Sequence, residues 1–202
     1  LSLNSAQTVE DYQEVVASAL DEVIRLSNVV STVLEIARAE NSNHSLNYST
    51  VNLSDVVNDI CEDMEIVADE KNIKIFKNIN NEVLINGDKN KIQHIIINLL
   101  DNSIKYTPNG GEIKISLYNS QNSATLIVED NGIGIPSEQI PNIFQKFYRT
   151  PNAKKVGVQG TGLGLSLVKS IVDLHKGNIT VESQENKGTK ITVSFPIGKN
   201  NE

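Results

Sequence analysis

The chain has 202 residues, of which 39% are hydrophobic and 21% charged, proportions typical of a globular protein that can bury a core. Its net charge of −7, without a cluster of Lys or Arg, argues against a nucleic-acid or anionic-membrane partner. Cys61 is the only cysteine, so the chain cannot form an internal disulfide. One cysteine and three widely scattered histidines also exclude a structural zinc site.

The first 46 residues differ in charge from the rest. They hold two basic and seven acidic residues, a balance of −5, whereas residues 47–202 hold 16 basic and 18 acidic residues, a balance of −2. This asymmetry favours a chain made of two units.

Residues 9 to about 40 predict one long helix, because this stretch contains no Gly or Pro. Thr8 is the expected N-cap, with Asp11 as the acid of a capping box. Apolar residues recur in the 4-3 spacing of a coiled coil over more than three heptads. This seam consists of Tyr12, Val16, Ala19, Val23, Leu26, Val30, Val33 and Ala37. No second long heptad helix follows, so we expect the seam to pack against another chain or against a helix outside this sequence.

A polar connector, residues 41–47, separates the helix from a segment with mixed periodicity. That segment predicts helices from Ser54, as the N-cap, to about Lys71, from Asp88 to about Tyr106 and from Thr161 to His175. Alternating apolar residues predict strands at 112–118 and 124–129. Further strands are predicted at 48–51, 73–77, 83–85, 179–183 and 190–195. Because strands and helices do not alternate regularly, we expect an α+β fold rather than a doubly wound sheet. The predicted architecture is a two-layer sandwich with an antiparallel-dominated mixed sheet and helices on one face.

Asn98, Asn102 and Lys105 are spaced i, i+4 and i+7 and therefore share one face of a predicted helix. Two carboxamides and an ammonium are costly to bury without a partner. A carboxamide oxygen suits Mg²⁺, and a lysine one turn further on can meet phosphate oxygens. The alternative is an ordinary solvated polar face.

The segment Asp130-Asn-Gly132-Ile-Gly134 directly follows the predicted strand 124–129. An Asn-Gly pair after a strand is commonly a hairpin turn. Here no alternating strand follows, and a second glycine comes two residues later. Glycines let the backbone approach a flat ligand, and an aspartate can accept a hydrogen bond from an exocyclic amine such as that of adenine.

The segment Gly160-Thr-Gly162-Leu-Gly164 opens the last predicted helix, where free N–H groups and the helix dipole attract anions. A GxGxG pattern alone is weak evidence, and this one is neither a Walker P-loop nor a Rossmann motif. Before it lies Phe144-Gln-Lys-Phe147-Tyr148-Arg149, whose aromatic residues can anchor a mobile segment while Arg149 reaches a phosphate. A plain hydrophobic anchor with a surface cation fits this segment equally well.

In this order and at these spacings, the four elements resemble the N, G1, F and G2 boxes of sensor histidine kinases, in the GHKL ATP-binding superfamily. The resemblance covers residues 48 to about 198 and implies a Bergerat-type fold that binds ATP and Mg²⁺. Residues 9–40 resemble the second helix of the dimerisation and phosphotransfer domain of these kinases. The resemblance to these kinases thus implies that residues 1–46 are part of the dimerisation and phosphotransfer domain and that residues 47–202 form a catalytic ATP-binding domain.

The resemblance also implies roles for individual residues. Asn102 would be the Mg²⁺ ligand, Asn98 would support the phosphates or the metal, and Asp130 would read the adenine amine. Lys105 and Arg149 would contact phosphates, which completes a catalytic set of Asn98, Asn102, Lys105 and Arg149. The other implied nucleotide contacts are Tyr106, Gly132, Gly134, Ile135, Phe147, Gly160, Thr161, Gly162, Leu163, Gly164, Leu165 and Thr189.

One position separates kinases from ATPases in this superfamily. In the chaperone, gyrase and mismatch-repair relatives a glutamate that activates water stands where this chain has Asn98. Because an amide cannot act as a general base, the resemblance favours direct phosphoryl transfer to a histidine over attack by water.

The acceptor histidine of the family lies on a preceding helix and is followed by an acidic residue. His44, in the connector, is followed by Ser45 and does not fit. We expect His94 to be packed or half-exposed in its helix and His175 to interact with a helix C-terminus. The chain is therefore expected to be a piece of a longer protein that binds nucleotide without phosphorylating itself.

The expected function is donation of the ATP γ-phosphoryl group to a histidine on a dimerisation helix outside this chain, for onward transfer to a response-regulator aspartate. The expected partners are a second copy, through the N-terminal helix, and the receiver domain of a response regulator. The resemblance implies a cytoplasmic domain whose parent protein is anchored in the bacterial inner membrane through other segments. Rival interpretations are a GHKL-superfamily ATPase or serine kinase and a non-catalytic nucleotide-binding dimerisation module.

Overall fold

The structure, a computed structural model, describes residues 8–40, 46–120, 122–158 and 160–197. The predicted connector lies mostly outside these residues, as does His44. The helices are α1 (Val9–Glu40), α2 (Leu53–Asp69), α3 (Lys89–Tyr106), α4 (Pro151–Lys155) and α5 (Gly164–Leu174), with a 3₁₀ helix at Ser137–Asn142. The strands are β1 (Ser49–Asn52), β2 (Lys74–Ile79), β3 (Leu84–Gly87), β4 (Glu112–Asn119), β5 (Ser123–Asp130), β6 (Asn178–Gln184) and β7 (Gly188–Pro196).

Five strands form the main sheet in the order β2-β4-β5-β7-β6. β2 runs parallel to β4, and the other neighbouring strands are antiparallel. β1 and β3 form a separate antiparallel pair. Helices α2, α3 and α5 pack together and against the main sheet. The predicted two-layer α+β sandwich, preceded by a long helix, is therefore confirmed.

The core lies between the sheet and the apolar faces of these helices. On β4, every second residue points inward, so that Ile113, Ile115 and Leu117 are fully buried. The predicted apolar face of α3 is also fully buried, at Ile95, Ile96, Leu99 and Leu100. The opposite face of α3, which carries the predicted polar residues, is thereby turned away from the core.

Side-chain caps determine where α2 and α3 begin. Asp88, which was predicted to open α3, is its N-cap, since its Oδ1 accepts a hydrogen bond from Lys91 N at 3.2 Å. For α2 the predicted cap was wrong, because Asn52 rather than Ser54 is the N-cap. The Ser54 hydroxyl instead donates to the carbonyl of Asn80 at 2.6 Å and accepts from Val83 N at 3.0 Å. Both residue types cap helices well, and these long-range partners decide between them.

The long helix α1 has the predicted bounds and the predicted capping box, with Thr8 N donating to Asp11 Oδ2 and Asp11 N to Thr8 Oγ1. Its apolar seam is exposed within one chain, with Val16 at 64% and Val23 at 62% exposure. The C-terminal part of α1 differs, because Ile36 is only 1% exposed and belongs to the core. None of the described helices has the length and apolar character needed to cross a membrane.

An ionic contact reinforces the attachment of α1. The carboxylate of Glu35 receives Lys91 Nζ at 2.9 Å and lies 3.1 Å from Nδ1 of His94, both on α3. The long helix is thus joined to the sandwich by an apolar side chain and an adjacent carboxylate. His94 is half-exposed, as predicted.

We expect Ile36→Ala to lower the free energy of unfolding by about 2 kcal/mol, because it leaves a cavity in the core. The matched control is Ile24→Ala in the same helix, where the side chain is 50% exposed and the loss should stay below about 0.5 kcal/mol. Urea unfolding at low protein concentration measures both changes. Equal losses in the two variants would contradict the docking of α1 through Ile36.

Candidate functional site

A cleft of about 1070 Å³, counting its solvent-open mouth, lies between α3, the loop after β5, residues 148–153 and the start of α5. The cleft gathers most of the residues proposed from the sequence, although they are separated by up to 91 positions. These lining residues are Asn98, Asn102, Lys105, Tyr106, Asp130, Gly134, Ile135, Arg149, Gly160, Thr161, Gly162, Gly164, Leu165 and Thr189.

Asp130 is the last residue of β5, and three donors surround its carboxylate. Oδ1 accepts from Gly132 N at 2.9 Å and from Thr189 N at 3.2 Å, while Oδ2 has a longer contact of 3.4 Å with the Ser103 hydroxyl. Burial raises the pKa of the Asp130 carboxyl, and these hydrogen bonds oppose the rise. With only one long contact, Oδ2 keeps the capacity to accept a hydrogen bond from a ligand in the cleft.

The loop after Asp130 requires glycine at two positions. A Cβ on Gly132 would lie 2.5 Å from the carbonyl oxygen of Tyr106, and one on Gly134 would lie 1.9 Å from that of Gln184. Gly134 also has a φ of +64°, which disfavours other residues. The chain continues from here into the 3₁₀ helix rather than into a paired strand, so the Asn-Gly pair is not a hairpin turn.

The polar face of α3 forms one wall of the cleft, as the i, i+4, i+7 spacing predicts. Asn98 Nδ2 donates to the carbonyl of His94 at 2.8 Å, and Lys105 Nζ pairs with Asp101 at 2.6 Å. Exposed ion pairs of this kind contribute on the order of 0.5 kcal/mol. An anionic ligand can therefore compete for the ammonium of Lys105.

Arg149 joins the cleft to residues 151–158. Its Nη2 donates to the carbonyl of Val158 and has a longer contact of 3.5 Å with that of Ala153. The Nε atom is buried and has no partner among the described residues. A guanidinium with an unpaired donor beside a cleft is suited to a phosphate or carboxylate ligand.

The glycine-rich turn brings the start of α5 to the cleft. Gly162 has a φ of +71°, and a Cβ there would lie 2.7 Å from the backbone of Phe147. A positive φ at Gly162 is incompatible with a right-handed α-helix, so α5 begins at Gly164 rather than at the predicted Thr161. A Cβ on Gly164 would lie 2.8 Å from Oδ1 of Asn98, which shows how closely α5 approaches α3.

Three of the proposed residues do not line the cleft. Gly132 and Leu163 are buried behind it, and Phe147 is 62% exposed with a φ of +63°. Other residues line it without having been proposed, namely Asp101, Ser103, Ile133, Ile143, Tyr148, Thr150, Ala153 and Ile191. Asp101 and Ser103 lie next to Asn102, so the N-box segment itself was the available signal. Ile191 is recognisable only from the pairing of β5 with β7, which places Thr189 opposite Asp130.

His175 lies away from the cleft and has a structural role. Its Nδ1 is 2.8 Å from the carbonyl of Ile171, and its Nε2 accepts from Asp88 N at 3.0 Å. The predicted interaction with a helix C-terminus is confirmed, but burial lowers the pKa of His175, which favours the neutral ring. The side chain thus links the end of α5 to the start of α3.

Known histidine kinases resemble this chain in both sequence and structure. The chain is similar to the sensor histidine kinase CusS of Escherichia coli (strain K12), with 29% identity over 196 residues that are 97% of this chain and 40% of CusS. It resembles the solved structure of the Acinetobacter baumannii histidine kinase AdeS, with a TM-score of 0.77, 25% identity and coverage of 96% of this chain and 87% of that one. It also resembles the histidine kinase ThkA in complex with the response regulator protein TrrA, with a TM-score of 0.74, 26% identity and coverage of 98% and 55%.

The chain spans about 40% of the length of CusS, so these similarities describe a part of such proteins. The model of the family described as "Histidine kinase-, DNA gyrase B-, and HSP90-like ATPase" matches residues 87–199. This match takes in more than half of the chain and every residue proposed for the site. The chain therefore belongs to the histidine kinase-, DNA gyrase B-, and HSP90-like ATPase family, within which it is similar to the histidine kinases.

Proposed function

We propose that this domain binds Mg-ATP in the cleft and donates the γ-phosphoryl group to a histidine that another segment or another polypeptide supplies. The observation that carries the proposal is the composition of the cleft. It combines a buried carboxylate, Asp130, with two cations, Lys105 and Arg149, and with the N-terminus of α5. The exocyclic amine of adenine needs a hydrogen-bond acceptor such as this carboxylate. A triphosphate needs the positive charge of the two cations and of the helix N-terminus. Similarity to sensor histidine kinases supports this assignment.

The base would be recognised by Asp130. Main-chain donors at Gly132 and Thr189 orient its carboxylate, and Oδ2 retains acceptor capacity for the amine. The glycines of the loop leave space beside the carboxylate for a flat ring, with Tyr106 as a wall. Recognition by one oriented acceptor discriminates strongly, because a base without a donor would leave the carboxylate unpaired.

The phosphates would compete for two side chains that already have partners. Lys105 would exchange Asp101 for a phosphate oxygen, and Arg149 would exchange the carbonyls of Ala153 and Val158. Charge-assisted bonds to phosphate are stronger than those to neutral carbonyls, which favours the exchange. Release of Val158 would then couple nucleotide binding to the position of residues 151–158, which would act as a lid.

The residues of the cleft fit Mg²⁺ only as a metal shared with the nucleotide. No group of three or more His, Cys, Asp and Glu side chains in the described part of the chain is placed to hold a metal ion. The carboxamide of Asn102 lines the cleft and has no described hydrogen bond. It would provide one neutral oxygen ligand, which suits an ion that keeps water and phosphate ligands. Bound Mg²⁺ would neutralise phosphate charge during transfer.

Transfer to histidine rather than hydrolysis rests on Asn98. Its amide lies at the cleft, with Nδ2 bonded to the carbonyl of His94, and cannot remove a proton from water. The acceptor would come from outside the described residues. His175 is buried between two main-chain partners, and His94 is bound to Glu35.

We further propose the assembly in which this domain acts. Residues 1–46 would belong to a dimerisation and phosphotransfer domain, and residues 47–202 form the catalytic domain. The exposed apolar seam of α1 would pair with the corresponding helices of a second copy. A response regulator would receive the phosphoryl group, in line with the complex of ThkA and TrrA. Other segments of the parent protein would anchor it in the bacterial inner membrane.

Incubation of the purified chain with Mg-ATP tests the proposed reaction, with intact mass and phosphate release followed together. We expect bound nucleotide, no added phosphate and almost no release, because Asn98 cannot activate water and neither described histidine is available. Steady release that Asn102→Ala abolishes would indicate an ATPase. A covalent phosphate on the chain would show that it contains its own acceptor, such as His44.

The metal ligand is tested by the dependence of ATP affinity on Mg²⁺. We expect Asn102→Ala to remove most of the gain in ATP affinity that Mg²⁺ gives to the wild type, with little change in affinity for adenosine. Asn119→Ala, at the exposed end of β4, is the matched control and should keep the gain. Calorimetric titration with and without Mg²⁺ provides the measurement. An unchanged Mg²⁺ dependence in Asn102→Ala would exclude this residue as the ligand.

The variant Asp130→Asn should change the stability of the protein and its affinity for ATP in opposite directions. Burial raises the pKa of Asp130 in the folded state above the ordinary value of 3.8, so its ionisation costs stability as pH rises through that folded pKa. The variant should therefore be more stable than the wild type at pH 7, by a difference that shrinks as pH falls to about 4. Its affinity for ATP should nevertheless fall at least about tenfold, because the amide presents a donor to the adenine amine.

Urea unfolding at the two pH values and titration with ATP check both halves of this prediction. Asp59→Asn, an exposed carboxylate on α2, should change neither quantity. Wild-type affinity for ATP in Asp130→Asn would refute base recognition by Asp130.

A further inference from the structure

The C-terminal turn of α3 carries two residues of the cleft, Lys105 and Tyr106. The last four carbonyls of a helix lack partners within it and must be satisfied elsewhere. Here the carbonyl of Ser103 accepts from Thr107 N at 3.0 Å, and that of Tyr106 accepts from Ile133 N at 3.1 Å. The carbonyls of Ile104, Lys105 and the C-cap Thr107 still need hydrogen-bond donors from outside the helix.

One side chain from outside the helix satisfies all three. Lys71, in the turn after α2, directs its Nζ to the carbonyls of Ile104 at 2.6 Å, Thr107 at 2.8 Å and Lys105 at 3.3 Å. These carbonyls account for every contact that the structure describes for the ammonium. An ammonium has three hydrogens to donate, so the arrangement uses its full capacity.

The main chain of Lys71 holds the same region. Its carbonyl accepts from Gly110 N at 2.9 Å, in the loop that follows α3. The loop is therefore bound to Lys71 through its backbone, while the end of α3 is bound through its side chain. The end of α3 and the loop that follows it are thus held relative to α2 by four hydrogen bonds to a single residue, three from its side chain and one to its carbonyl.

The C-terminal turn of α3 positions two parts of the cleft. Its own side chains Lys105 and Tyr106 line the cleft directly. The carbonyl of Tyr106 receives Ile133 N, from the glycine loop that holds Asp130. A displacement of the turn would thus move a phosphate contact, the wall beside the base and the base-reading loop together.

Lys71 also changes the electrostatics of this wall. The C-terminus of a helix carries a partial negative charge, and here it lies beside a cleft proposed to bind a polyanion. An ammonium at that terminus offsets the charge. The effect favours a ligand with several phosphates over one with none.

We propose that Lys71 is a positioning residue of the nucleotide site, which it serves by fixing the C-terminal turn of α3. The proposal rests on the proposed function, since it needs the cleft to bind a nucleotide. Lys71 does not touch the cleft and acts through Lys105, Tyr106 and the Asp130 loop.

The test compares Lys71→Met, which keeps the length but removes the donors, with Lys71→Arg, which keeps a charge and several donors. The control is Lys74→Met, an exposed lysine three residues further on. Calorimetric titration with Mg-ADP and with adenosine gives the affinities at a temperature where circular dichroism shows each variant to be folded. Amide NMR signals of Tyr106 and Ile133 report the position of the turn without nucleotide.

We expect Lys71→Met to weaken Mg-ADP binding roughly tenfold and adenosine binding less, and to shift the Tyr106 and Ile133 amide signals. Lys71→Arg should restore the affinity to within about threefold of the wild type, and Lys74→Met should match the wild type. If Lys71→Met does not fold, Lys71→Gln, which keeps one donor group, replaces it and should lie between the wild type and the loss expected for Met.

Two results would overturn the inference, and they are distinguishable. Wild-type affinity for Mg-ADP in folded Lys71→Met, with only a lower melting temperature, would reduce Lys71 to a structural helix cap. Failure of Lys71→Arg to restore binding would show that the loss does not come from the hydrogen-bonded cation. If the wild type binds no nucleotide, the proposed function fails first and the inference with it.

Discussion

A carboxylate buried at the end of a central strand has to be surrounded by donors, and the site is arranged around this requirement at Asp130. Its partners come from three elements, which are the turn at Gly132, the start of β7 at Thr189 and the last turn of α3 at Ser103. The neighbouring backbones are correspondingly close, since a Cβ on Gly188 would lie 1.9 Å from the carbonyl oxygen of Asp130. The register of β5 with β7 and the placement of α3 are thus both tied to one side chain.

Two cationic side chains, Lys71 and Arg149, support the site in different ways, although both bind main-chain carbonyls. Lys71 binds the C-terminal end of the packed helix α3. Arg149 binds Val158 and Ala153 in a short surface segment, and an anionic ligand would compete with those carbonyls. One wall of the cleft is thus held by a lysine that lies outside the cleft, whereas the other is held by an arginine that a ligand in the cleft can reach.

The long helix adds a third constraint. Ile36 inserts into the core and Glu35 pairs with Lys91, so the C-terminal end of α1 is attached to the first turn of α3. The same turn is capped by Asp88, whose N–H binds the buried His175 at the end of α5. The helix that carries the polar face of the cleft is thus linked at its start to α1 and α5 and at its end to α2.

Local patterns in the sequence were sufficient to predict α1, α3 and the order of the motifs, because periodicity, caps and glycine spacing are properties of neighbouring residues. They also predicted which segments would meet at the cleft, through resemblance to a family with the same motif order. They missed the asparagine cap of α2 and the later start of α5, since a buried serine found distant partners and a glycine adopted a positive φ.

Only the tertiary structure decided the contacts between residues distant in sequence. Lys71 lies 33 positions from Ile104, and a lysine after a helix carries no local sign of the carbonyls that it will bind. The attachment of α1 through Ile36 and the bonds of Arg149 to its neighbouring segment were equally invisible in the pattern. The sequence determined the elements and the chemistry available to the site, whereas packing decided which donor meets which acceptor, because that choice depends on distances that exist only after the chain has folded.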